Sequence, residues 1–222
     1  MKLSSIRRQA GIATAVLALS VTLAACGEDE PDSTGSDDSN TSSSDGMGDT
    51  AAAEGAQAQT FGDGCAQVPT SGAGSFDGMV KDPVATAASN NPLLKTLVTA
   101  VSSIDGLADT LNGAPALTVF APYEGAFAEI PEADLNGLVE GGKKDGDKSM
   151  LYKILAHHVV GSNEDVDSID GKQATLAGDQ LTIEGDPESG MTVTDGTVTA
   201  NNICANVPTA NATVYVIDKV LT

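Results

Sequence analysis

Residues 117–131 read LTVFAPYEGAFAEIP, and this stretch decides the fold that the sequence predicts. Its first five residues are rich in β-branched and aromatic side chains, which is typical of a short buried strand. Pro122 ends the strand because proline has no N–H group for a strand ladder. Ala126, Phe127 and Ile130 then share one helical face. The stretch therefore predicts a strand in the middle of a sheet, followed by a helix that closes one end of the core.

Two further segments complete a recognisable series. Residues 151–159 (LYKILAHHV) predict a helix running into a strand, and residues 212–221 (ATVYVIDKVL) predict a long C-terminal strand. With the first stretch they resemble the signature motifs of the fasciclin domain, in the same order. Residues 82–92 (DPVATAASNNP) resemble the actinobacterial, secreted, immunogenic branch of that family. The resemblance covers residues 62–222 and implies an α+β fold, a wedge-like antiparallel β-sandwich flanked by several short helices.

Helix patterns precede strand patterns along the chain. Asp82 before Pro83 and Asn91 before Pro92 each predict a helix start, because a capping side chain followed by proline is typical of a first turn. Further helices are predicted over residues 94–101, 105–113, 131–140 and 148–155, with a polar loop at 141–146. Strands are predicted from His157 onward, at residues 180–184, 191–194, 197–200 and 212–221. Helices early and strands late are typical of an α+β domain.

The N-terminal residues predict export and a lipid anchor. Lys2 and an arginine pair precede an uncharged apolar run over residues 10–25, which is shorter than the ~20 residues that a membrane-spanning helix needs. The run ends in Leu-Ala-Ala before Cys26, the pattern of a signal peptide (residues 1–25) whose cleavage leaves Cys26 as a lipidated N-terminus. An ordinary cleaved signal is the alternative. The residues around the arginine pair match a twin-arginine signal poorly, so the general secretory route is expected.

Removal of the signal leaves a strongly acidic chain. The full sequence has 11 basic and 31 acidic residues, and residues 1–25 hold three of the basic ones and none of the acidic ones. The mature chain would therefore have eight lysines, no arginine and a net charge of −23. Nucleic acid is excluded as a partner, because binding it needs basic residues facing phosphate. The expected location is the outer face of the cell membrane, held by lipid on Cys26, with shedding as a further expectation.

A low-complexity segment follows the expected lipid anchor. Residues 27–59 contain no aromatic residue, no lysine and no arginine, and nine of them are acidic. Such a segment buries too little apolar surface to offset the entropy lost on ordering. Residues 26–61 are therefore predicted to be a disordered tether, followed by a single fasciclin domain over residues 62–222.

Cys65 and Cys204 remain once Cys26 is lipidated, and an even pair on an exported chain predicts a structural disulfide. The bridge would close a loop of about 140 residues, for which the chain-entropy model gives roughly 5 kcal/mol of stabilisation. A metal pair and a redox pair are the alternatives. Neither cysteine lies in a Cys-X-X-Cys motif or beside a histidine, so both alternatives lack their usual sequence context.

The sequence offers no catalytic constellation. His157 and His158 are adjacent, and in a strand they would point to opposite faces and not converge on one metal. Neither a nucleophile elbow nor a phosphate-binding loop is present in the sequence. We therefore expect no catalytic residue, no metal and no cofactor, and a protein that is not an enzyme.

The fasciclin resemblance implies adhesion, or contact with an extracellular or envelope protein or glycan of unknown identity. The positions that match segments proposed as receptor contacts in animal members are Tyr152, His157, His158, Ile217 and Asp218. His157 stands where the family usually has tyrosine. For three of these positions a structural role is the alternative: His158 and Ile217 as core residues, and Asp218 as a strand-end cap or salt-bridge partner.

Two other functions are alternatives to contact. A small-molecule or lipid carrier needs a concave apolar pocket, and seven aromatic residues with no tryptophan offer little lining for a large one. A structural envelope or matrix protein without a specific partner is the other alternative.

Overall fold

The computed structural model describes residues 55–222. The expected signal peptide, the expected lipidation site Cys26 and most of the expected tether lie outside the described residues.

Folded structure begins earlier than predicted, inside the segment expected to be tether. Gly55–Gln59 forms a 3-10 helix, and the N–H of Ala56 donates to Oδ1 of Asp77 at 3.2 Å. Phe61 forms an antiparallel bridge with Ala205. These contacts correct the expected boundary at residue 62, because residues 55–61 are ordered by pairing with the domain and not by their own composition.

Seven α-helices lie within residues 55–222. They are α1 (Phe76–Met79), α2 (Val84–Asn90), α3 (Lys95–Ser102), α4 (Leu107–Gly113), α5 (Glu124–Ala128), α6 (Glu132–Asp145) and α7 (Met150–His157). Short 3-10 helices lie at Asp63–Gln67, Pro92–Leu94 and Gly146–Lys148. The predicted helices are present, and two of them extend further than expected.

The helix ends show where tertiary contacts replace local signals. Asn91 caps the turn at Pro92–Leu94 as predicted, since its Oδ1 accepts the N–H of Leu93 at 3.0 Å. Asp82 does not cap α2; the first N–H of that helix donates to Oδ1 of Asn211 at 2.8 Å. α6 continues through the glycines predicted to form a loop, because the buried backbone of Gly142 packs against neighbouring helices.

Seven strands form one sheet in the order β2-β1-β7-β6-β5-β4-β3. They are β1 (Leu117–Pro122), β2 (Val159–Val160), β3 (Gly171–Ala174), β4 (Gln180–Asp186), β5 (Gly190–Thr194), β6 (Thr199–Pro208) and β7 (Ala212–Ile217). The expected α+β architecture is confirmed. Its sheet is mixed, since β1 and β7 run parallel while the other neighbours are antiparallel. The parallel pair was not foreseen, because it joins segments nearly a hundred residues apart.

β6 is the strand that folds the sheet over on itself. Its first residues pair with β5 and its last residues pair with β7. Between them the register shifts twice, between Asn202 and Val207, and Asn206 adopts a left-handed conformation with φ 58°. Such irregularities bend a strand and increase its twist. An isolated bridge between Val160 and Thr175 then links the two ends of the sheet, so the layers nearly close.

Two interior strands of the sheet, β1 and β7, are buried on both faces. Side chains alternate along a strand, so Val214 and Val216 pack among the helices while Tyr215 and Ile217 pack inside the folded sheet. Phe120 of β1 faces the same interior, and its ring centroid lies 5.6 Å from that of Tyr215. β1 is therefore a buried strand with a neighbouring strand on each side, β2 and β7.

A disulfide joins Cys65 to Cys204, whose Cα atoms lie 4.8 Å apart. It fastens the N-terminal segment of the described chain to β6, where the strand bends. The predicted pairing is confirmed, and in the structure the two cysteines form neither a metal pair nor a free redox pair.

Candidate functional site

The predicted contact residues fall into two groups in the fold. Tyr152 and His157 lie on α7 and His158 follows it directly. Ile217 ends β7, and Asp218 comes next in the chain. The structure therefore does not bring the five residues together into one exposed patch.

α7 continues through His157, two residues beyond its predicted end. Oγ of Ser149 caps its start by accepting the N–H of Tyr152 at 3.1 Å, and the N–H of His158 donates to the carbonyl of Leu155 at 3.2 Å. The sequence predicted that the two histidines are neighbours in a strand. The structure shows instead that they lie at the end of a helix. Their ring centroids are 6.1 Å apart with the planes at 87°.

His157 connects the end of α7 to two turns of the sheet. Its Nδ1 lies 2.8 Å from Oδ1 of Asp179, in the exposed turn between β3 and β4. Its Nε2 lies 3.7 Å from Oδ2 of Asp195, in the turn between β5 and β6, and has no hydrogen-bond partner within the described chain. The residue that stands where the family usually has tyrosine thus lies with its two ring nitrogens near two different carboxylates.

Both carboxylates beside His157 have a lowered pKa. Burial alone would raise the pKa of Asp179, but hydrogen bonds from Thr175 and His157 outweigh it. Burial would also raise the pKa of Asp195. Hydrogen bonds from the backbone N–H groups of Val198, Thr197 and Thr222 outweigh that effect and lower the pKa. Both groups are therefore anions at neutral pH, and His157 lies between two negative charges.

His158 is a buried, neutral histidine, with 3% of its surface exposed. Its Nδ1 lies 2.8 Å from the carbonyl of Ile154 and must donate, while its Nε2 accepts the N–H of Leu221 at 3.1 Å. Burial lowers its pKa to about 4, although the bond to Ile154 acts in the opposite direction. The ring therefore holds α7 to the end of the chain and does not present itself to a partner.

The two candidates after β7 also have structural roles. Ile217 is completely buried inside the folded sheet, so it cannot lie on a contact surface. Asp218 is half-exposed, and its carboxylate accepts the backbone N–H of Asn201 at 2.7 Å and its side-chain amide at 2.6 Å. Asp218 thus joins the end of β7 to β6 as a cap.

An open groove lies beside α7, and we call it the Tyr152 groove. Met150, Tyr152 and His157 line it from the helix, and Leu176 lines it from the turn after β3. Met150 is 63% exposed and Leu176 54% exposed. Within residues 55–222 only one other large apolar residue has more than about a third of its surface exposed, Val80 at 37%. Two of the three most exposed apolar side chains therefore lie in one groove.

A second concave feature adjoins the groove at α7, and we call it the apolar cavity. It has a volume of about 280 Å³ and is bounded by α2, α3 and α4 opposite α7 and β1. Tyr152, Ala156 and Leu176 line both the cavity and the Tyr152 groove. The sequence suggested little lining for such a pocket because aromatic residues are few, but leucine, valine and alanine supply most of it.

Sequence reasoning missed four residues of these two features. Met150 directly precedes Leu151 at the start of α7, and Leu176 stands between Thr175 and Ala177, so neither sequence context indicated an exposed apolar side chain. No sequence signal pointed to Asp179 and Asp195, because both lie in turns far along the chain from His157.

Residues 55–222 lack a metal-binding cluster and a membrane-spanning helix. No group of three or more His, Cys, Asp or Glu side chains there is arranged to hold a metal ion. Over the same residues, no helix combines the length and the apolar character needed to cross a membrane.

Known proteins resemble this chain in sequence and structure. A model of the fasciclin domain matches residues 92–222. The cell surface glycolipoprotein MPT83 of Mycobacterium tuberculosis is 44% identical over 180 residues, covering 78% of this chain and 76% of that protein. The immunogenic protein MPB70 of Mycobacterium bovis is 40% identical over 168 residues, covering 72% of this chain and 80% of that protein.

One similar solved structure is a FAS1 domain pair from the insect cell adhesion molecule Fasciclin I. It is 22% identical with a TM-score of 0.46, and the match covers 57% of this chain and 44% of that one. The chain thus spans less than half of that solved structure. On the family match and the mycobacterial relatives, this chain belongs to the fasciclin domain family, as its three motifs predicted, and is non-enzymatic.

Proposed function

We propose that this protein is an exported lipoprotein that presents one fasciclin domain for adhesion, through contact with a protein or glycan of the cell envelope. Acyl chains on Cys26 would hold it to the outer face of the membrane after removal of residues 1–25. Residues 26–54 would link the anchor to the domain. The relative MPT83, a cell surface glycolipoprotein, supports this location.

The Tyr152 groove is the observation that carries the contact role. Met150 and Leu176 remain largely exposed although the domain has interior apolar layers that could have buried them. Exposed apolar side chains that cluster in a concave surface are typical of interaction sites, whereas single ones are normal anywhere. Tyr152, which lines the same groove, adds a ring of the type that often dominates binding energy at interfaces.

The charges around the groove restrict the partner. Asp147, Asp179 and Asp195 line it, against one basic side chain, Lys153. A partner that inserts an apolar side chain flanked by neutral or basic groups is complementary to this surface. The exposed apolar pair favours a protein over a glycan as that partner.

The anchor is tested by replacing the modified residue. The Cys26→Ser chain should leave the membrane fraction or keep its signal peptide, while the unaltered chain should stay with membranes and carry the added mass of acyl groups. Intact-protein mass spectrometry of both fractions distinguishes the two. An unaltered chain without acyl mass would contradict the lipoprotein proposal.

The contact role is tested by crosslinking on intact cells. A photoreactive amino acid at position 150 should capture a specific envelope component, and Leu176→Asp in the same chain should abolish the capture. A photoreactive residue at position 80 is the matched control, because Val80 is exposed and apolar but does not line the groove. Capture of only neighbouring lipoproteins and wall polymer, or of the same products from position 80, would rule out the groove as a specific contact site.

A further inference from the structure

We infer that the apolar cavity is a binding site for an uncharged, apolar small molecule of roughly a dozen non-hydrogen atoms. The inference goes beyond the proposed contact role, because its ligand would lie inside the cavity and not on the surface of the groove, although Tyr152, Ala156 and Leu176 line both.

The size of the cavity sets the size of the ligand. The cavity is partly open to solvent and has a volume of about 280 Å³. A cavity of about 150 Å³ lined by Leu, Ile and Phe holds a benzene molecule and stays dry without it. The space here is about twice as large, which corresponds to roughly a dozen carbon atoms.

The lining of the cavity disfavours a charged ligand. No lysine or acidic residue lines it. Asn112, one of its polar residues, accepts the N–H of Ala85 at 2.9 Å and donates to Oγ1 of Thr86 at 3.1 Å. His158 has both ring nitrogens bonded and is neutral. These polar groups are already paired, so a charged ligand would lose its hydration without gaining a partner.

The charge of the domain favours a neutral ligand over a fatty-acid anion. Residues 55–222 contain eight lysines, no arginine and 22 acidic residues, a net charge of −14. Among the residues that line the adjoining groove, Lys153 is the one basic side chain, and three carboxylates accompany it. A carboxylate head at the mouth of the cavity would therefore lie in a negative field.

Leu176 lies where the cavity meets the groove. It lines both features, and its N–H donates to the carbonyl of Val159 at 2.8 Å, which fixes the turn that carries it. Its side chain is 54% exposed and ends 3.3 Å from the position that a Cβ on Gly161 would occupy. Rotation of this one side chain would change access to the cavity without moving the turn, so we assign Leu176 to the entrance.

The test uses photoreactive analogues of 1-decanol and decanoate, two probes with the same chain and different charge. The full chain in its membrane is irradiated with each probe, and labelled peptides are identified by mass spectrometry. We expect the decanol analogue to label peptides within residues 84–112 and 150–159, at least tenfold more strongly than the decanoate analogue does.

Filling the cavity provides the matched variants. Ala108→Phe and Val98→Phe each add volume from α4 or α3 at positions that line the cavity, and each should lower labelling of these peptides at least tenfold. Val80→Phe adds a ring outside the cavity and should leave labelling unchanged. Circular dichroism and an intact disulfide check that each variant is folded. Labelling that persists in both filled variants would overturn the site, and equal labelling by decanoate would overturn the neutral ligand class.

Discussion

The N–H of Leu221 donates to Nε2 of His158 over 3.1 Å, across 63 residues of sequence. The same ring donates through Nδ1 to the carbonyl of Ile154. The bond from Leu221 requires the neutral ring, because a protonated Nε2 has no lone pair to accept with, whereas the Nδ1–H bond to Ile154 can form in either protonation state. The end of the described chain is thus held by a group whose protonation would break the contact.

Acidification should therefore destabilise the domain in a defined pH window. Burial lowers the pKa of His158 from 6.5 to about 4, so between these values the unfolded state binds the proton and the folded state does not. The contribution to stability is complete above pH 6.5 and is lost as the pH falls towards 4. At 1.36 kcal/mol per pH unit, the loss between pH 7 and pH 5 is about 2 kcal/mol.

Urea denaturation at pH 7 and pH 5 measures this loss. The control is His158→Gln, which keeps an acceptor but does not titrate, and retains His157 and all carboxylates. The free energy of unfolding should fall by about 2 kcal/mol more in the unaltered chain than in the variant. Equal losses in the two chains would show that His158 is not the titrating group.

Two adjacent glycines of α6 should respond oppositely to alanine. A Cβ on Gly142 would lie 2.8 Å from Cδ2 of Leu151 and 2.9 Å from Oγ of Ser103, whereas a Cβ on Gly141 meets nothing within 4 Å. Gly141→Ala should stabilise by roughly 0.5–1 kcal/mol because alanine favours the helix. Gly142→Ala gains the same propensity but should destabilise overall by about 1–3 kcal/mol through overpacking.

Thermal and urea unfolding of the two glycine variants measures the difference directly. Since backbone propensity is the same at both positions, the gap between them reports packing alone. Two variants of equal stability would mean that α6 does not approach α7 this closely.

Asp218→Ala should lower stability, because Asp218 joins β6 to β7. Its loss leaves the N–H and side-chain amide of Asn201 without their acceptor, and for this half-exposed pair we expect a loss of about 1–2 kcal/mol. Capture of partners in the cell-surface crosslinking experiment should not change. Unchanged stability combined with lost capture would instead make Asp218 a contact residue.

Reduction of the Cys65–Cys204 disulfide should cause a large loss of stability. The cysteines are 139 positions apart, and the chain-entropy model assigns about 5 kcal/mol to loops of this length as an upper value. The melting temperature should therefore fall in reductant. Cys65→Ser with Cys204→Ser should melt at the lower temperature with or without reductant, and a reductant effect on that double variant would point to another cause.

Hydrogen exchange can locate the effect of reduction. Residues 55–67 are fastened to β6 by the disulfide and by the Phe61–Ala205 bridge. Their amides should lose protection before those of β1 and β7 do. Simultaneous loss throughout the domain would show that the bridge stabilises the whole fold and not its N-terminal edge.

Much of the fold was predictable where local chemistry decides it. Pro122 ends β1 in any context because it lacks an N–H, and Asn91 before Pro92 caps a turn with atoms from its own neighbourhood. Predictions failed where a distant group replaced the local one. Asn211 caps α2 in place of Asp82, and α7 continues to His157, where contacts with two remote turns hold the side chain.

The sequence by itself determined the family, the α+β order of elements and the disulfide pair, because motifs, periodicity and cysteine count are properties of neighbouring residues or of composition. Only the tertiary structure decided that His158 and Ile217 are buried, that Met150 and Leu176 share a groove, and that aliphatic side chains enclose a cavity. The physical reason is that exposure and enclosed volume depend on which surfaces meet when β1 pairs with β7 and the helices pack on them.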